Sequence, residues 1–465
     1  MSQVFGVLAL ARPTFDVPFA EQMKERAFQA LEHAGIRTVG SRRLLFDRAA
    51  TEAELAELLA AQRPDLMLIM QVTFTDATMT SQIARHADLP LAIWAFPEPR
   101  IGGRLRLNAY CGLNLAAHAL GRAGVEHGWL YADPGASGIA ASLRALAAPR
   151  ARPASRAQFV PAPREPRSEA ALAKLRGARI AVIGQHPDGF DTCEFDEGIL
   201  GQLAGVQVST VALDRLFEHA RAADPQRVET VRQSVAASVT GLESVDAEQL
   251  DRSFRVFCAL EDLQHESGAR GLAVRCWPEM FTEYGCAACG PMAMMNEKMV
   301  PAACEADVNG SVSQLLLQEL AGEPAWMADL VDIDAGDDTA VLWHCGLAPI
   351  SMRDPQVPAE ATIHTNRKMP LLHQFTLKPG RVTLARLSRS RNESKLMIAG
   401  AEVIRAPMAY TGCSATIRFD KPAAAVSALI MDEGLEHHFA LVYGDQRAPL
   451  RAIAAQWKVP LLELA

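Results

Sequence analysis

Several features of membrane and nucleic-acid-binding proteins are missing from this 465-residue chain. It has no apolar run long enough to span a bilayer, and its start, MSQVFGVLALARPTFD, lacks the basic segment and small-residue cleavage site of a signal peptide. It also lacks a Lys/Arg-rich face with interleaved aromatic residues, and its net charge is −8. These absences predict a cytoplasmic protein that binds neither membrane nor nucleic acid.

Signatures of nucleotide cofactors, structural zinc and disulfides are missing too. Neither GxGxxG nor the Walker A pattern occurs, so no nucleotide cofactor is expected. The nine cysteines are scattered and odd in number, which fits reduced thiols better than a disulfide framework. Cys286 and Cys289 form a CxxC pair, but no second pair with zinc spacing accompanies it. Buried thiols are therefore the favoured interpretation of that pair.

What is present is a globular composition, with 49% hydrophobic and 22% charged residues. Residues 1–150 alternate apolar strands with amphipathic helices, which is typical of a Rossmann-like parallel sheet. Residues 151–170, rich in Pro, Arg and Ala, predict an exposed linker. A second α/β unit is expected over 171–345. Short predicted strands, among them 413–419, 424–430 and 438–443, then indicate a β-rich domain over 346–465. The predicted fold class is α/β: two Rossmann-like parallel-sheet domains followed by a smaller, barrel-like C-terminal domain.

Carboxylates follow two neighbouring predicted strands of the second unit. The apolar run 271–277 leads to Glu279, and the run 300–304 leads to Glu305 and Asp307. Ligands bind beyond the carboxyl ends of parallel strands, and converging acids need a counter-charge that a hard divalent cation supplies. Helix N-caps or loop carboxylates are the alternative interpretation. If a turn separates Glu305 from Asp307, only one faces the cavity, and Asp307 is favoured as the ligand.

Polar loops after other predicted strands offer contacts to a hydroxylated ligand. In the first unit they cover residues 11–16 and 96–108, and in the second unit residues 184–191. Arg104 and Arg106 alternate with leucines, so both could recognise an anionic sugar substituent or form surface ion pairs instead. The candidate substrate-binding residues are Arg12, Thr14, Phe15, Arg104, Asn108, His186, Trp277 and His344.

Blocks spread over most of the chain resemble the L-fucose/L-arabinose isomerase superfamily. They are FGVLALARPTFDVPFAE, FPEP with GGRLRLN, HPDGFDTC, CWPEM, ACEADVNG, WHCG and EHHFALVYGD. The resemblance implies that Glu279 and Asp307 are the metal-binding carboxylates, that His438 is the C-terminal metal-binding histidine and that His344 lies near the metal. It also implies two Rossmann-like domains and one β-rich domain. Homo-oligomers, trimers or hexamers, are implied as well, in which a neighbour's first domain completes the pocket.

These features together predict a metal-dependent aldose–ketose isomerase that acts on a monosaccharide, neutral or anionic, through an enediol. Glu279 and Asp307 are the predicted catalytic proton-transfer groups, and the predicted metal ligands are Glu279, Asp307 and His438. Mn²⁺ suits one nitrogen and at least two oxygen ligands, with Mg²⁺ or Co²⁺ as substitutes. The alternatives are a two-lobed, non-catalytic sugar-binding or regulatory protein and a metal-dependent aldolase or epimerase.

Overall fold

Three β-sheets organise the structure, a computed structural model that describes residues 3–148 and 153–465. Two of the sheets are parallel, and the third is larger and mostly antiparallel. The predicted fold class is therefore confirmed. The predicted division near residue 150 lies in part outside the described residues, and the domain boundaries stay predictions. Within the described ranges, no helix is long and apolar enough to cross a membrane.

The first sheet is parallel and is covered by helices. Its unit consists of β1 (Val4–Leu10), α1 (Val17–His33), β2 (Arg37–Val39), β3 (Leu44–Leu45), α2 (Arg48–Ala61), β4 (Leu66–Gln71), α3 (Thr78–Ala87), β5 (Leu91–Ala95), α4 (Ala109–Arg122), β6 (His127–Tyr131) and α5 (Ile139–Leu146). The strand order is β2-β1-β4-β5-β6, and β3 pairs with β1. Strands β1, β4 and β5 are buried along their whole length, as expected for a sheet covered on both faces.

The second sheet is smaller and also parallel. Its unit consists of α6 (Pro166–Leu175), β7 (Arg179–Ile183), α7 (Glu197–Ala204), β8 (Gln207–Val211), α8 (Leu213–Ala222), α9 (Pro225–Ala236), α10 (Ala247–Ser267), β9 (Gly271–Val274), α11 (Cys289–Glu297), β10 (Ala302–Ala303) and α12 (Val308–Ala321). The strand order is β10-β9-β7-β8. Because β9 and β10 are parallel neighbours, the segments that follow them emerge at the same edge of the sheet.

The third sheet contains a closed ring of strands. Its unit consists of β11 (Trp326–Asp334), β12 (Thr339–His344), β13 (Glu360–Thr362), β14 (Leu372–Thr376), β15 (Gly380–Ser388), β16 (Lys395–Val403), β17 (Cys413–Phe419), α13 (Ala423–Glu433), β18 (His438–Tyr443), α14 (Arg447–Trp457) and β19 (Leu461–Glu463). The strands β17-β12-β11-β18-β15-β16 lie side by side, and β16 also pairs with β17. This last pairing closes a barrel, as the sequence predicted.

Two segments of the third unit differ from the sequence prediction. Residues 424–430 were expected to form a strand but lie in helix α13, because the Ala-rich segment favours a helix and Gly434 ends it in the left-handed conformation. Strand β11 was not predicted, and β12, assigned by sequence to the second unit, pairs with it antiparallel. The third sheet therefore begins at Trp326.

Helix α4 joins the first unit to the barrel. It is buried along almost its whole length. The Tyr110 hydroxyl lies 2.9 Å from Ser427 Oγ, and Asn114 Nδ2 donates to the Leu435 carbonyl at 2.6 Å. His118 Nδ1 lies 2.9 Å from the Gly434 carbonyl. These contacts hold the loops of the first unit against the segment that leads into β18.

Candidate active site

A single cavity is lined by side chains from all three units. The first unit contributes residues of the loops that follow β1, β4 and β5, and the second contributes the segments after β9 and β10. The third contributes β11, the end of β12, the loop between β13 and β14 and the start of β18. The lining includes Arg12, Thr14, Phe15, Phe74, Asn108, Cys276, Trp277, Phe281, Cys304, Glu305, Asp329, His344, Asn366, Arg367, His437 and His438. This cavity is the natural place to look for chemistry, since it combines apolar walls with converging polar groups.

Glu305 brings a carboxylate into the cavity from a tight turn after β10. Its φ is 58°, in the left-handed region, so the chain turns sharply at this residue. Trp277 Nε1 donates to Glu305 Oε1 at 3.0 Å, and His437 Nε2 lies 3.1 Å from Glu305 Oε2. Burial raises the pKa of the Glu305 carboxyl, but the hydrogen bond from His437 and the neighbouring histidines outweigh burial and lower it. Glu305 therefore presents an ionised carboxylate to the cavity.

His438 is held in one tautomer by Asp307. Its Nδ1 lies 2.9 Å from Asp307 Oδ2, and because an ionised carboxylate only accepts, Nδ1 carries the proton. In the neutral ring the other nitrogen, Nε2, then carries a free electron pair. It lies 3.8 Å from Glu305 Oε2 and 3.5 Å from Asp329 Oδ1. A histidine fixed by a carboxylate on one nitrogen and open on the other is the usual arrangement of a metal ligand.

Asp307 itself lies behind this histidine, out of the cavity lining, where it caps a helix and pairs with a buried arginine. Its Oδ1 accepts from the Gly310 amide at 2.8 Å at the start of α12. Arg386 Nη1 donates to Asp307 Oδ2 at 2.7 Å, and both side chains are buried. Burial opposes ionisation, yet Arg386 and His438 hold the pKa of Asp307 well below its usual value. Asp307 positions His438 and does not face the cavity.

Asp329 contributes a second carboxylate to the cavity, one that was not expected from the sequence. It lies inside β11, directly opposite His438 in the antiparallel pairing with β18. Its Oδ1 is buried and has no hydrogen-bond partner among the described residues. Burial raises the pKa of Asp329 to about 7, with His438 acting against that shift and Glu305 adding to it. A buried carboxylate oxygen without a donor is costly unless a cation or a proton satisfies it.

The donor set fits a divalent cation. Nε2 of His438 lies 3.8 Å from Glu305 Oε2 and 3.5 Å from Asp329 Oδ1. Ligands that bind one ion at ~2.1 Å lie roughly 3 to 4 Å apart, so each carboxylate is within the distance expected for sharing an ion with His438. His438 also takes part in two groups of mutually close ligand atoms, one with Cys193 and Glu305 and one with Asp329 and His344. Mixed nitrogen and oxygen donors of this kind suit Mn²⁺, Mg²⁺ or Co²⁺.

His344 is oriented as a donor to a ligand. Its Nδ1 accepts from the Cys345 amide at 2.9 Å, so in the neutral ring Nε2 carries the proton. Burial and the neighbouring histidines His438 and His437 lower the pKa of His344 well below its usual value, which keeps the ring neutral. His437 is likewise neutral, because burial and His438 lower its pKa to about 4.

The predicted site residues are brought together only in part. Arg12, Thr14, Phe15, Asn108, Trp277, His344 and His438 line the cavity. Arg104 lies behind the lining and bonds to Asn366, whereas His186 lines a separate surface groove beside Asp76. Polar lining side chains that were not among the candidate site residues include Asp329, His437, Asn366 and Arg367, and Glu305 was not favoured as a ligand.

The placement of Glu279 corrects the expected ligand set. Its two oxygens accept from Arg275 Nε and Nη2, each at 2.7 Å, in a pair four residues apart along the chain. That hydrogen bonding holds the pKa of Glu279 below its usual value. Glu279 belongs neither to the cavity lining nor to any group of close ligand atoms among the described residues. The carboxylate that enters from this edge of the sheet is Glu305.

The loops of the first unit were expected to reach a neighbouring subunit. In the structure Arg12, Thr14 and Asn108 line the same cavity as Glu305 and His438 of their own chain. Glu98 holds the 104–108 loop there, since its carboxylate accepts from the backbone amides of Leu107 and Asn108. One chain therefore supplies both sides of the cavity.

Comparison with known proteins agrees with this architecture. Residues 6–148 match the family described as fucose/sulfoquinovose isomerase, N-terminal domain. The chain is 27% identical over 458 residues to a sulfoquinovose isomerase of Alkalicoccus urumqiensis, with 98% of each chain covered. It is 28% identical over 451 residues to one from Clostridium sp. (strain MSTE9), covering 96% of each. It is 27% identical over 437 residues to one from Priestia aryabhattai, covering 94% of this chain and 93% of the relative.

These similarities confirm the predicted class of enzyme, an aldose–ketose sugar isomerase. They also support the resemblance to the fucose isomerase-like superfamily that the sequence blocks indicate.

Proposed function

We propose that this protein is a metal-dependent isomerase that interconverts the aldose and ketose forms of an anionic six-carbon sugar, sulfoquinovose being the substrate named for its relatives. The observation that carries the proposal is the convergence of Glu305, Asp329 and His438, with a free oxygen on Asp329 and a free nitrogen on His438. These three residues replace the set Glu279, Asp307 and His438 expected from the sequence.

The three side chains would hold one divalent ion, for which Mn²⁺ is proposed. When bound, such an ion polarises two adjacent sugar oxygens and makes the intervening C–H group more acidic. Asp307 keeps His438 in the required tautomer, and Arg386 keeps Asp307 ionised. An assembly of several copies of the chain is also proposed, and within one chain residues of all three units already line the cavity.

The proton transfer that isomerisation requires is assigned to carboxylates of the same cavity. Removal of the C2 proton of the aldose and protonation of its carbonyl oxygen give an enediol. Return of a proton to C1 and loss of the proton on the C2 oxygen then give the ketose, and these transfers need an acid–base group within hydrogen-bond reach. Asp329 Oδ1 is available because no described donor occupies it, and Glu305 Oε2 lies 3.8 Å from His438 Nε2. His344 Nε2 is available to donate to a sugar oxygen.

Isomerisation in deuterated water tests the reaction. The metal-depleted protein, reloaded with Mn²⁺, is incubated with sulfoquinovose, D-glucose, L-fucose and L-arabinose, and the products are followed by NMR. The expected result is a ketose product from sulfoquinovose with solvent deuterium at C1 or C2. Binding without turnover would favour the sugar-binding alternative, and cleaved or C-epimerised products would favour an aldolase or epimerase.

A pair of isosteric substitutions tests the ligand set. Glu305→Gln should lower bound metal to well below one ion per chain and reduce turnover by at least ~10²-fold, because it removes a charged donor from the site. Glu279→Gln is the matched control and should keep parental metal content, since its carboxylate pairs with Arg275. Elemental analysis gives the metal content. Loss of metal in Glu279→Gln with retention in Glu305→Gln would restore the set expected from the sequence.

A further inference from the structure

Two guanidinium groups share one indole ring in the wall of the cavity. Arg12 follows β1, and Arg367 lies between β13 and β14, yet their guanidinium carbons lie 5.1 and 5.2 Å from the ring of Trp277. Arg12 also lies over Phe74 at 5.2 Å, and Arg367 lies over Phe281 at 5.4 Å. Aromatic faces attract cations but offset only part of the repulsion between two like charges.

The charges in this wall do not balance. Arg12 has a counter-ion, since its Nη2 lies 2.6 Å from Asp76 Oδ2. The Arg367 guanidinium forms no ion pair and no side-chain hydrogen bond with any described residue, although it is partly buried and lines the cavity. Burial and the charge of Arg12 lower the pKa of Arg367. The wall therefore has a surplus of positive charge and free, forked N–H donors, which match an oxyanion.

We infer that Arg367, with Arg12 beside it, binds the anionic substituent at the end of the sugar remote from Glu305 and Asp329. This inference rests on the proposed function. Trp277 connects the two ends of the site, because its Nε1 donates to Glu305 Oε1 while its ring carries both guanidiniums. Six carbons at ~1.5 Å per bond span roughly 6 Å, a distance comparable with the long dimension of an indole. The reacting carbons can then face the carboxylates while the substituent faces the arginines.

Arg104 is assigned a positioning role in this subsite. Its Nη2 donates to the Thr14 carbonyl at 2.6 Å and to Asn366 Oδ1 at 3.0 Å, and its Nε donates to Asn366 Oδ1 at 3.1 Å. It thus ties the loop of Arg12 to the loop of Arg367. From the sequence, Arg104 was a candidate for direct contact with an anionic substituent. In the structure it instead links the two loops that carry Arg12 and Arg367.

Substrate selectivity of Arg367→Met tests the inference. For sulfoquinovose, kcat/KM should fall by about 10- to 100-fold, mainly through KM, because a charge-assisted contact to the substituent is lost. For D-glucose, which lacks the charge, kcat/KM should stay within about twofold of the parent. The same measurement with glucose 6-phosphate and glucuronate shows whether a phosphate or a carboxylate can take the place of the sulfonate in this subsite. Lys368→Gln, which removes an exposed charge from the next residue, is the control and should leave the selectivity unchanged.

Binding of alditols separates this inference from the proposed reaction. The alditol 6-deoxy-6-sulfoglucitol cannot isomerise, so calorimetry on the Mn²⁺-loaded protein measures its affinity without turnover. Arg367→Met should weaken its binding by about 10-fold or more and leave glucitol unaffected. If no sugar is isomerised but this selective loss remains, the subsite stands and the isomerase proposal fails. If sulfoquinovose is isomerised and Arg367→Met affects charged and neutral ligands alike, or neither, the subsite is overturned. Arg367→Lys keeps the positive charge and should recover part of the affinity for the charged alditol. This recovery separates the loss of the charge from poor folding of Arg367→Met.

Discussion

At the scale of single residues, the site contains two aspartates with opposite roles. Asp307 is ionised and satisfied, with Arg386, His438 and the Gly310 amide around it. Asp329 is buried, pairs across the sheet with His438, and has an oxygen without a donor among the described residues. Asp307 therefore stabilises the folded state, whereas burial of Asp329 lowers the free energy of unfolding unless a bound ion offsets it.

The isosteric substitutions Asp307→Asn and Asp329→Asn should therefore differ in their effect on stability. In the metal-free protein, Asp307→Asn should lower the free energy of unfolding by about 3 kcal/mol, because it leaves the buried Arg386 with only Glu436 as a counter-charge. Asp329→Asn should change it by less than about 1 kcal/mol or raise it, because no buried cation loses a partner. Urea unfolding followed by circular dichroism measures both.

Metal binding provides the second readout for this pair. Asp307→Asn should weaken Mn²⁺ binding by about 10- to 100-fold, since it acts through the orientation of His438. Asp329→Asn should weaken binding at least as much while the fold stays intact. Equal stability of the two variants would contradict the division of roles between the two aspartates.

At the scale of elements, the sequence predicts strands and their order better than the direction of side chains in turns. The predicted strands at 413–419 and 438–443 agree at both ends with β17 and β18. Acids were correctly expected after β9 and β10, because hydrophobic runs end there. Which acid enters the cavity depends on the turn after β10, where Glu305 adopts a positive φ. Nothing in the local pattern specifies that conformation for a glutamate.

Asp329 was missed for a different reason. It lies in the middle of β11, a strand that the sequence analysis did not identify, and its closeness to His438 comes from pairing across 109 residues of chain. A signal was present, because an acid inside an otherwise apolar segment, WMADLVDID, is costly to bury unless it has a partner. Asp332 in the same strand confirms the value of this signal, since it pairs with Arg100 of the first unit.

A buried ion pair between β16 and α13 gives a prediction at the same scale. Lys395 Nζ lies 3.1 Å from Glu433 Oε2, and both side chains are buried. Glu433 ends α13, where the helix dipole disfavours a negative charge, so Lys395 is needed to offset it. At neutral pH, Lys395→Met should lower the free energy of unfolding by about 3 to 5 kcal/mol. Arg26→Met, which breaks an exposed pair with Asp133, is the control and should cost less than about 1 kcal/mol.

The pH dependence of this effect has a definite sign. Burial raises the pKa of Glu433, but the Arg156 amide and Lys395 outweigh burial and lower it below its usual value. The stabilisation is therefore fully present above the pKa of the unfolded chain, about 4.3, and is lost as the pH falls through the lower folded pKa. The difference between parent and Lys395→Met should shrink below about pH 4. A difference that grows on acidification would contradict this assignment.

At the scale of the whole molecule, the cavity forms because three units meet around the start of β18. Helix α4 packs against the segment that leads into β18, and Arg104 ties a loop of the first unit to the loop that carries Arg367. The sequence indicated the three units from composition and periodicity. It could not indicate that their loops meet within one chain, because the contacts join residues as far apart as Arg104 and Asn366.

Co-expression of two inactive variants tests whether each cavity belongs to one chain. Arg12→Glu introduces an acid beside Asp76, and Glu305→Gln removes a proposed metal ligand, so each variant alone should have little activity on sulfoquinovose. If Arg12 came from a neighbouring subunit, about a quarter of the cavities in randomly mixed assemblies would contain both native residues and activity would return. Because Arg12 and Glu305 line one cavity of the same chain, the mixture should be no more active than its components. Native mass spectrometry checks that mixed assemblies form, and recovered activity in them would show that the first unit acts on a neighbour.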